Sequence, residues 1–341
     1  MLKRSVFFIL VFSILFSVEI YSQTNDDALI QMAILLDTSN SMDGLIDQAK
    51  SQLWKIVNEL ALSKKNGKSP KLEVALYEYG NDSLPKSDGH IRLVSPLTTD
   101  LDLISEKLFG LKTNGGDEYC GQVIKESIEK LNWSKNNKIL KLIFIAGNEP
   151  FNQGNVDYKK SCKDAISKGI IVNTIFCGDA KTGIDTFWKE GADLSDGKYV
   201  NIDQNVQEVY VEAPQDKEIA KLNEELNKTY VYYGKGGSDK KVLQEKQDTN
   251  AKGLNMEAFI QRSVTKSKEQ YNNSSWDMVD AVKNENLNLD KVKEEELPPE
   301  MKKMSKEEKA IYIEKQSQKR KEIQEKINKL NNERTEYINK V

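Results

Sequence analysis

The chain has 341 residues, with 50 Lys and Arg against 53 Asp and Glu, a formal net charge of −3 and a single histidine, His90. That length suits one sizeable domain with a second element, or two domains. The near balance of charge argues against a nucleic-acid partner, and one imidazole excludes a histidine-rich zinc site and confines any Ser-His-Asp or Cys-His pairing to His90.

The N-terminus carries a targeting pattern. Lys3 and Arg4 precede an apolar stretch at residues 6–18, broken only by Ser13 and Ser17, and the small Ser22 stands before Gln23, after which the chain turns polar. This reads as a secretory signal peptide over residues 1–22, cleaved between Ser22 and Gln23. Its core is too short to span a bilayer comfortably, and no later apolar run is long enough for a transmembrane helix. The expectation is an exported protein, periplasmic or secreted to the cell surface, with no transmembrane segment after cleavage. Export permits disulfides. Cys120, Cys162 and Cys177 allow at most one intrachain bridge, and fit equally well as three buried small apolar side chains.

Residues 30–36 form an almost continuous apolar run, the pattern of a strand buried on both faces. Across residues 43–62, Leu45, Ala49, Leu53, Ile56 and Leu60 fall at helical spacing. Residues 72–79 alternate as a second strand and stop at Gly80, and a turn with Pro85 and Gly89 leads into a short strand at 91–94. A helix is expected over 101–111, then a break at Gly115-Gly116, then an amphipathic helix with Val123, Ile124, Ile128 and Leu131 on one face. The next apolar run, 139–146, ends in Gly147-Asn148-Glu149-Pro150. A helix over 158–168, with Gly169 as its stop signal, and a strand over 170–177 close the unit. This spacing implies βαβ crossovers, and therefore an α/β fold with a doubly wound, mostly parallel sheet over residues 28–202. Such sheets bind ligands beyond the carboxyl ends of their strands, which points to the loops after Leu36, at Gly115, after Ala146 and after Cys177.

Beyond residue 201 apolar runs become scarce, while Lys, Glu, Gln and Asn dominate. Pro214 marks one boundary and Pro298-Pro299 a second. Residues 215–297 read as a helical or irregular extension. Residues 300–341 read as a long helix in which Ile323, Leu330 and Tyr337 lie seven apart. That spacing fits a coiled coil, and equally a single helix packed on the main domain. The glycine-rich segment 234–238 lacks both the ending and the preceding strand of a phosphate loop and reads as a turn. Tyr230, Tyr232 and Tyr233 read as core packing.

The first apolar strand runs into Asp37-Thr38-Ser39-Asn40-Ser41, a carboxylate and two hydroxyls at alternate positions. Oxygen donors of this kind suit a hard divalent cation. Asp37, Ser39 and Ser41 match the D-x-S-x-S motif, and residues 28–202 resemble a von Willebrand factor A domain in their order of strand, motif, helix and crossovers. The resemblance implies a Rossmann-like domain with a metal ion-dependent adhesion site. Asp37, Ser39 and Ser41 would form its first loop, and the ion would be Mg2+, or Mn2+ or Ca2+. A protein partner's Asp or Glu carboxylate would complete the coordination. The family's second loop usually supplies a Thr after paired glycines. Here Asp117 follows Gly115-Gly116, with Thr113 upstream, so the resemblance makes Asp117 the equivalent ligand. The third loop usually brings an Asp directly after the fourth strand; Ala146-Gly147-Asn148 stands there instead, with Asn148 and Glu149 placed to support a water.

Two functions follow. The first is an exported, metal-dependent, adhesion-type protein-binding module that is not an enzyme, since no nucleophile motif such as G-x-S-x-G is present. The second is a structural or assembly role for the C-terminal helices on a degenerate, metal-free scaffold, in which Asp37 and the serines merely cap a helix.

Overall fold

Alternate residues of the first apolar run serve opposite faces of a sheet. In β1 (Leu29–Asp37), Ile30, Met32, Ile34 and Leu36 enter one core, while Ala33 and Leu35 enter another. A strand buried on both faces must lie inside its sheet, and β1 does. The computed structural model, which describes residues 29–64, 69–203, 210–285 and 287–341, has a six-stranded sheet in the order β3-β2-β1-β4-β5-β6. The other strands are β2 (Lys71–Tyr79), β3 (Ile91–Thr98), β4 (Leu140–Gly147), β5 (Ile170–Cys177) and β6 (Tyr199–Ile202). Every neighbouring pair is parallel except β2 with β3. The strand at 91–94 thus extends to Thr98, because at a sheet edge Pro96 loses no ladder bond. The signal-peptide expectation for residues 1–22 lies outside the described residues.

Helices cover both faces. On one side α1 (Ile46–Leu62) and α2 (Leu101–Gly110) bury Leu53, Trp54, Val57, Ile104 and Leu108 against the sheet. On the other, α3 (Cys120–Lys130), α4 (Tyr158–Ser167) and α6 (Trp188–Asp193) contribute Val123, Ile128, Cys162 and Trp188. The short α5 (Ala180–Asp185) links β5 to α6. Cys120, Cys162 and Cys177 are all free and buried, the second of the two readings open from sequence. Among the described residues no helix is long and apolar enough to cross a membrane.

The polar C-terminal region is helical and has a core of its own. It comprises α7 (Asp216–Asn227), α8 (Gly237–Leu254), α9 (Met256–Lys266), α10 (Met278–Glu285) and α11 (Lys306–Ile338). Ile219, Leu226, Tyr230, Phe259, Ile260, Ile323 and Ile327 form its centre, with Tyr230 stacked on Trp276. Helix α11 opens with a capping box, Ser305 with Glu308, which satisfies two otherwise unpaired backbone donors. Its buried residues, Ile313, Arg320, Ile323, Ile327 and Arg334, keep a heptad-like rhythm, and this stripe faces α7, α9 and α10 of the same chain. Two stripe positions are arginines, each with an internal acidic partner. Arg320 pairs with Asp277 at 2.6 Å and Asp280 at 2.7 Å, and Arg334 pairs with Asp216 at 2.6 Å.

The helical region lies against α1 and α2: α9 packs on the first and α8 on the second. Thr265 donates to the Asn58 side chain at 2.7 Å, and Ser105 donates to that of Gln247 at 3.1 Å. Arg262, itself buried, reaches Asp102 of α2 at 2.8 Å and Asp248 of α8 at 2.6 Å. Lys266, fully buried, takes the other Asp248 oxygen at 2.7 Å.

Candidate metal centre

Asp37 is the last residue of β1, and β1 lies between β2 and β4. The connections leaving β1 and β4 part at this point, the position where doubly wound sheets open a crevice. Asp37 is fully buried. Its Oδ1 accepts the backbone N–H of Ser39 at 2.8 Å, while its Oδ2 is buried without a hydrogen-bond partner. Above it, the Ser39 and Ser41 hydroxyls lie 2.8 Å apart, Ser39 buried and Ser41 exposed. The carboxylate thus lies beside a hydroxyl pair of which only Ser41 reaches the surface.

The third loop closes on the first through an amide. Ser41 donates to the Asn148 side-chain oxygen at 2.8 Å, and the Asn148 side-chain nitrogen donates to the Ser41 carbonyl at 2.8 Å. Gly147 stands beneath this latch, where a Cβ would come within 2.5 Å of the Tyr79 hydroxyl and 3.0 Å of Asp37 Oδ2. A side chain does not fit at 147, so Asn148 is the third-loop residue that meets the serines.

The second loop contributes Glu118 to this cluster, whereas Asp117 lies outside it. Asp117 is exposed, accepts the Tyr119 hydroxyl at 2.9 Å and lies 3.8 Å from the Lys86 ammonium. Glu118 is 6% exposed, and its Cγ and Asp37 Oδ1 lie 2.9 and 2.8 Å from the same point, the Cβ position of Gly80. Neighbouring side chains face opposite ways here, Asp117 exposed and Glu118 buried. The loop is pinned to the motif where the Asn114 N–H donates to the Thr38 carbonyl at 2.9 Å. Thr113 is turned to Asp43, to which its hydroxyl donates.

Burial pushes the Asp37 carboxyl up to about 8, against the pull of hydrogen bonds from Ser39, and Glu118 and Glu149 add a smaller push. Burial likewise pushes Glu118 up to about 7, opposed by the Ser39 side chain and assisted by Glu149 and Asp117. A divalent cation would relieve both carboxylates at once. Among the described residues no three His, Cys, Asp or Glu side chains group to hold a metal. An ion here would meet two carboxylates, two hydroxyls and water, a hard-oxygen donor set that fits Mg2+, Mn2+ or Ca2+. The orphaned Asp37 Oδ2 supports that fit. His90 stands apart, buried with Nδ1 at 3.3 Å from the Asn81 carbonyl.

The von Willebrand factor type A domain family model matches residues 31–184, and with this sheet order and motif the chain carries a domain of that family. No curated protein matches the chain. Among solved structures, the conserved hypothetical protein BatB from Bacteroides thetaiotaomicron is 18% identical, with a TM-score of 0.38 over 51% of this chain and 90% of that one. The VWA domain of SpRpn10 is 16% identical, with a TM-score of 0.40 over 53% and 91%. Proximal thread matrix protein 1 from the mussel byssus, solved with a zinc-occupied MIDAS motif, is 10% identical, with a TM-score of 0.38 over 52% and 43%. The fold supports a protein-interaction module.

Proposed function

We propose that residues 31–184 form a divalent-cation-dependent protein-binding module, an adhesion-type domain and not an enzyme. One observation carries this reading: a fully buried Asp37 carboxylate with an unpartnered oxygen, set below two adjacent serine hydroxyls at the carboxyl end of a central strand. Burying a carboxylate without a compensating charge is costly, and a bound cation would supply that charge. The ion would be held by Asp37, Ser39, Ser41 and Glu118, and would offer an open coordination position to a partner. The resemblance to the family makes that partner group an Asp or Glu carboxylate. Export to the periplasm or cell surface belongs to the same reading and rests on the sequence pattern of residues 1–22. Magnesium should raise the thermal midpoint of the parent chain, since a ligand that binds only the folded state stabilises it. Asp37→Ala should show no such rise, and an equal rise in both proteins would defeat the assignment.

A second reading rests on the Ser41–Asn148 latch. An amide that satisfies Ser41 from both sides also suits a metal-free scaffold, with the interaction surface supplied by α7 to α11. In that case magnesium would leave the parent midpoint unchanged.

A further inference from the structure

The helical region meets the α/β domain on a surface unlike the core of either. Their apolar clusters stay separate: two lie wholly within residues 30–202 and two wholly within residues 219–330. What crosses between them is polar, and its charges run in one sense. Asp100, which caps α2, and Asp102 and Glu106 within α2 meet Lys240 at 2.7 Å, Arg262 at 2.8 Å and Lys246 at 3.4 Å. In all three pairs the acid belongs to the α/β domain and the cation to the helical region. Tyr271 adds a hydrogen bond to Asp102. At the same junction, Asn58 Nδ2 and Gln247 Nε2 are buried without a hydrogen-bond partner. A junction built of charge and hydrogen bonds has the character of a surface between two proteins rather than of a shared core.

We propose that the acidic face of α2 is a docking surface for the helical region of a second copy of this chain, so that two chains pair by exchanging α7 to α11. One connection, residues 203–215, joins the two parts, and a chain of that length spans at most about 45 Å. The contacts of the exchanged pair are those of the single chain, so exchange needs no new surface and gives up no ion pair. The charges also select the pairing. Two α2 faces repel each other, as do two α8–α9 faces, and only acid against cation remains. Two copies satisfy that rule reciprocally, each receiving the helical region of the other. The connection holds a chain's own helical region at an effective concentration in the millimolar range, so the single chain is the dilute form and the exchanged pair the concentrated one. This inference is independent of the metal centre.

The test uses the full chain in two variants that alter only the two partly exposed pairs and leave the buried Arg262 network intact. Asp100→Asn/Glu106→Lys strips α2 of its rim acids, with Asn keeping the helix cap. Lys240→Glu/Lys246→Glu reverses the opposing cations. Within either variant alone the rim attractions are lost and like charges face each other. In a mixture, each α2 finds a matching helical region on the other chain. Sedimentation equilibrium is expected to show monomers for each variant alone and for a chain carrying all four substitutions. The mixture is expected to form a one-to-one heterodimer with a dissociation constant on the order of 1–10 µM. A mixture that stays monomeric up to about 0.5 mM overturns the proposal, as does equally tight dimerisation of either variant alone. The parent supplies a reading that needs no substitution. Unfolded in urea and refolded at about 1 mM it is expected to yield dimer, and refolded at about 10 µM to yield monomer. Monomer alone at both concentrations overturns the proposal as well.

Discussion

Arg262 of the helical region and Asp102 of α2 meet at 2.8 Å with both side chains almost wholly buried. The same guanidinium reaches Asp248, whose second oxygen is held by Lys266. Removing one member of such a network strands the others without a counter-charge. Arg262→Ala is therefore expected to destabilise the chain by about 3–5 kcal/mol in urea unfolding. A loss below about 1 kcal/mol, the scale of an exposed pair, would mean that the helices merely rest on the α/β domain.

The same network sets a response to acid. Burial pushes Asp248 up, but Lys266 and then Arg262 outweigh it and hold the carboxyl well below its ordinary value of 3.8. A depressed carboxyl contributes stability that is present above its unfolded value and is lost as pH falls through the folded one. Denaturation midpoints are expected to drop as pH falls below 3.8, and the drop should be shallower in Asp248→Asn. Parallel pH profiles for the two proteins would contradict this.

At the third loop, Gly147 and Asn148 should behave oppositely. A Cβ at 147 would press on Tyr79 and Asp37, so Gly147→Asp is expected to cost about 1–3 kcal/mol of stability without improving metal affinity. Asn148→Asp places a carboxylate beside Ser41 and is expected to tighten magnesium binding. Magnesium titrations of both variants, beside their unfolding curves, check this; tighter binding by Gly147→Asp would reverse the assignment.

Ile327 sits at the centre of the α11 stripe, fully buried by helices of its own chain. Ile327→Ala is expected to lower stability by about 2–5 kcal/mol and to leave the sedimentation coefficient of the folded protein unchanged. Dissociation of an oligomer on that substitution would show that the stripe also serves a second chain.

The sheet was legible because burial on both faces writes continuous apolar runs, as in β1 and β4, and because Asp37 follows such a run directly. The helical region was far less so. Helix α8 is mostly polar along its length, and its buried positions include Gln244, Gln247 and Asp248, which find partners only in three dimensions. The rhythm of α11 was visible, yet nothing in it revealed that Arg320 and Arg334 would be met by acids far away in the chain. At the site, the motif serines were plain. Matching by distance from the paired glycines led to Asp117, whereas the side chain turned inward belongs to Glu118. The signal for that was local: on the approach to α3, Glu118 and Cys120 are buried while Asp117 is exposed.

Calorimetric titration of magnesium into the parent chain and into Asp37→Ala, in buffers of differing ionisation enthalpy, bears most directly on the metal centre. Asp37 is raised to about 8 and Glu118 to about 7, so at neutral pH an incoming ion must displace protons from them. Only the ionised carboxylates bind the metal, so affinity should rise with pH until both are deprotonated. The parent is expected to show one saturable site that releases between about one and two protons per ion at pH 7. Asp37→Ala is expected to show no binding heat while keeping its cooperative unfolding. Identical isotherms for the two proteins, or no binding by the parent at any pH between about 6 and 9, where these groups give up their protons, would contradict the account.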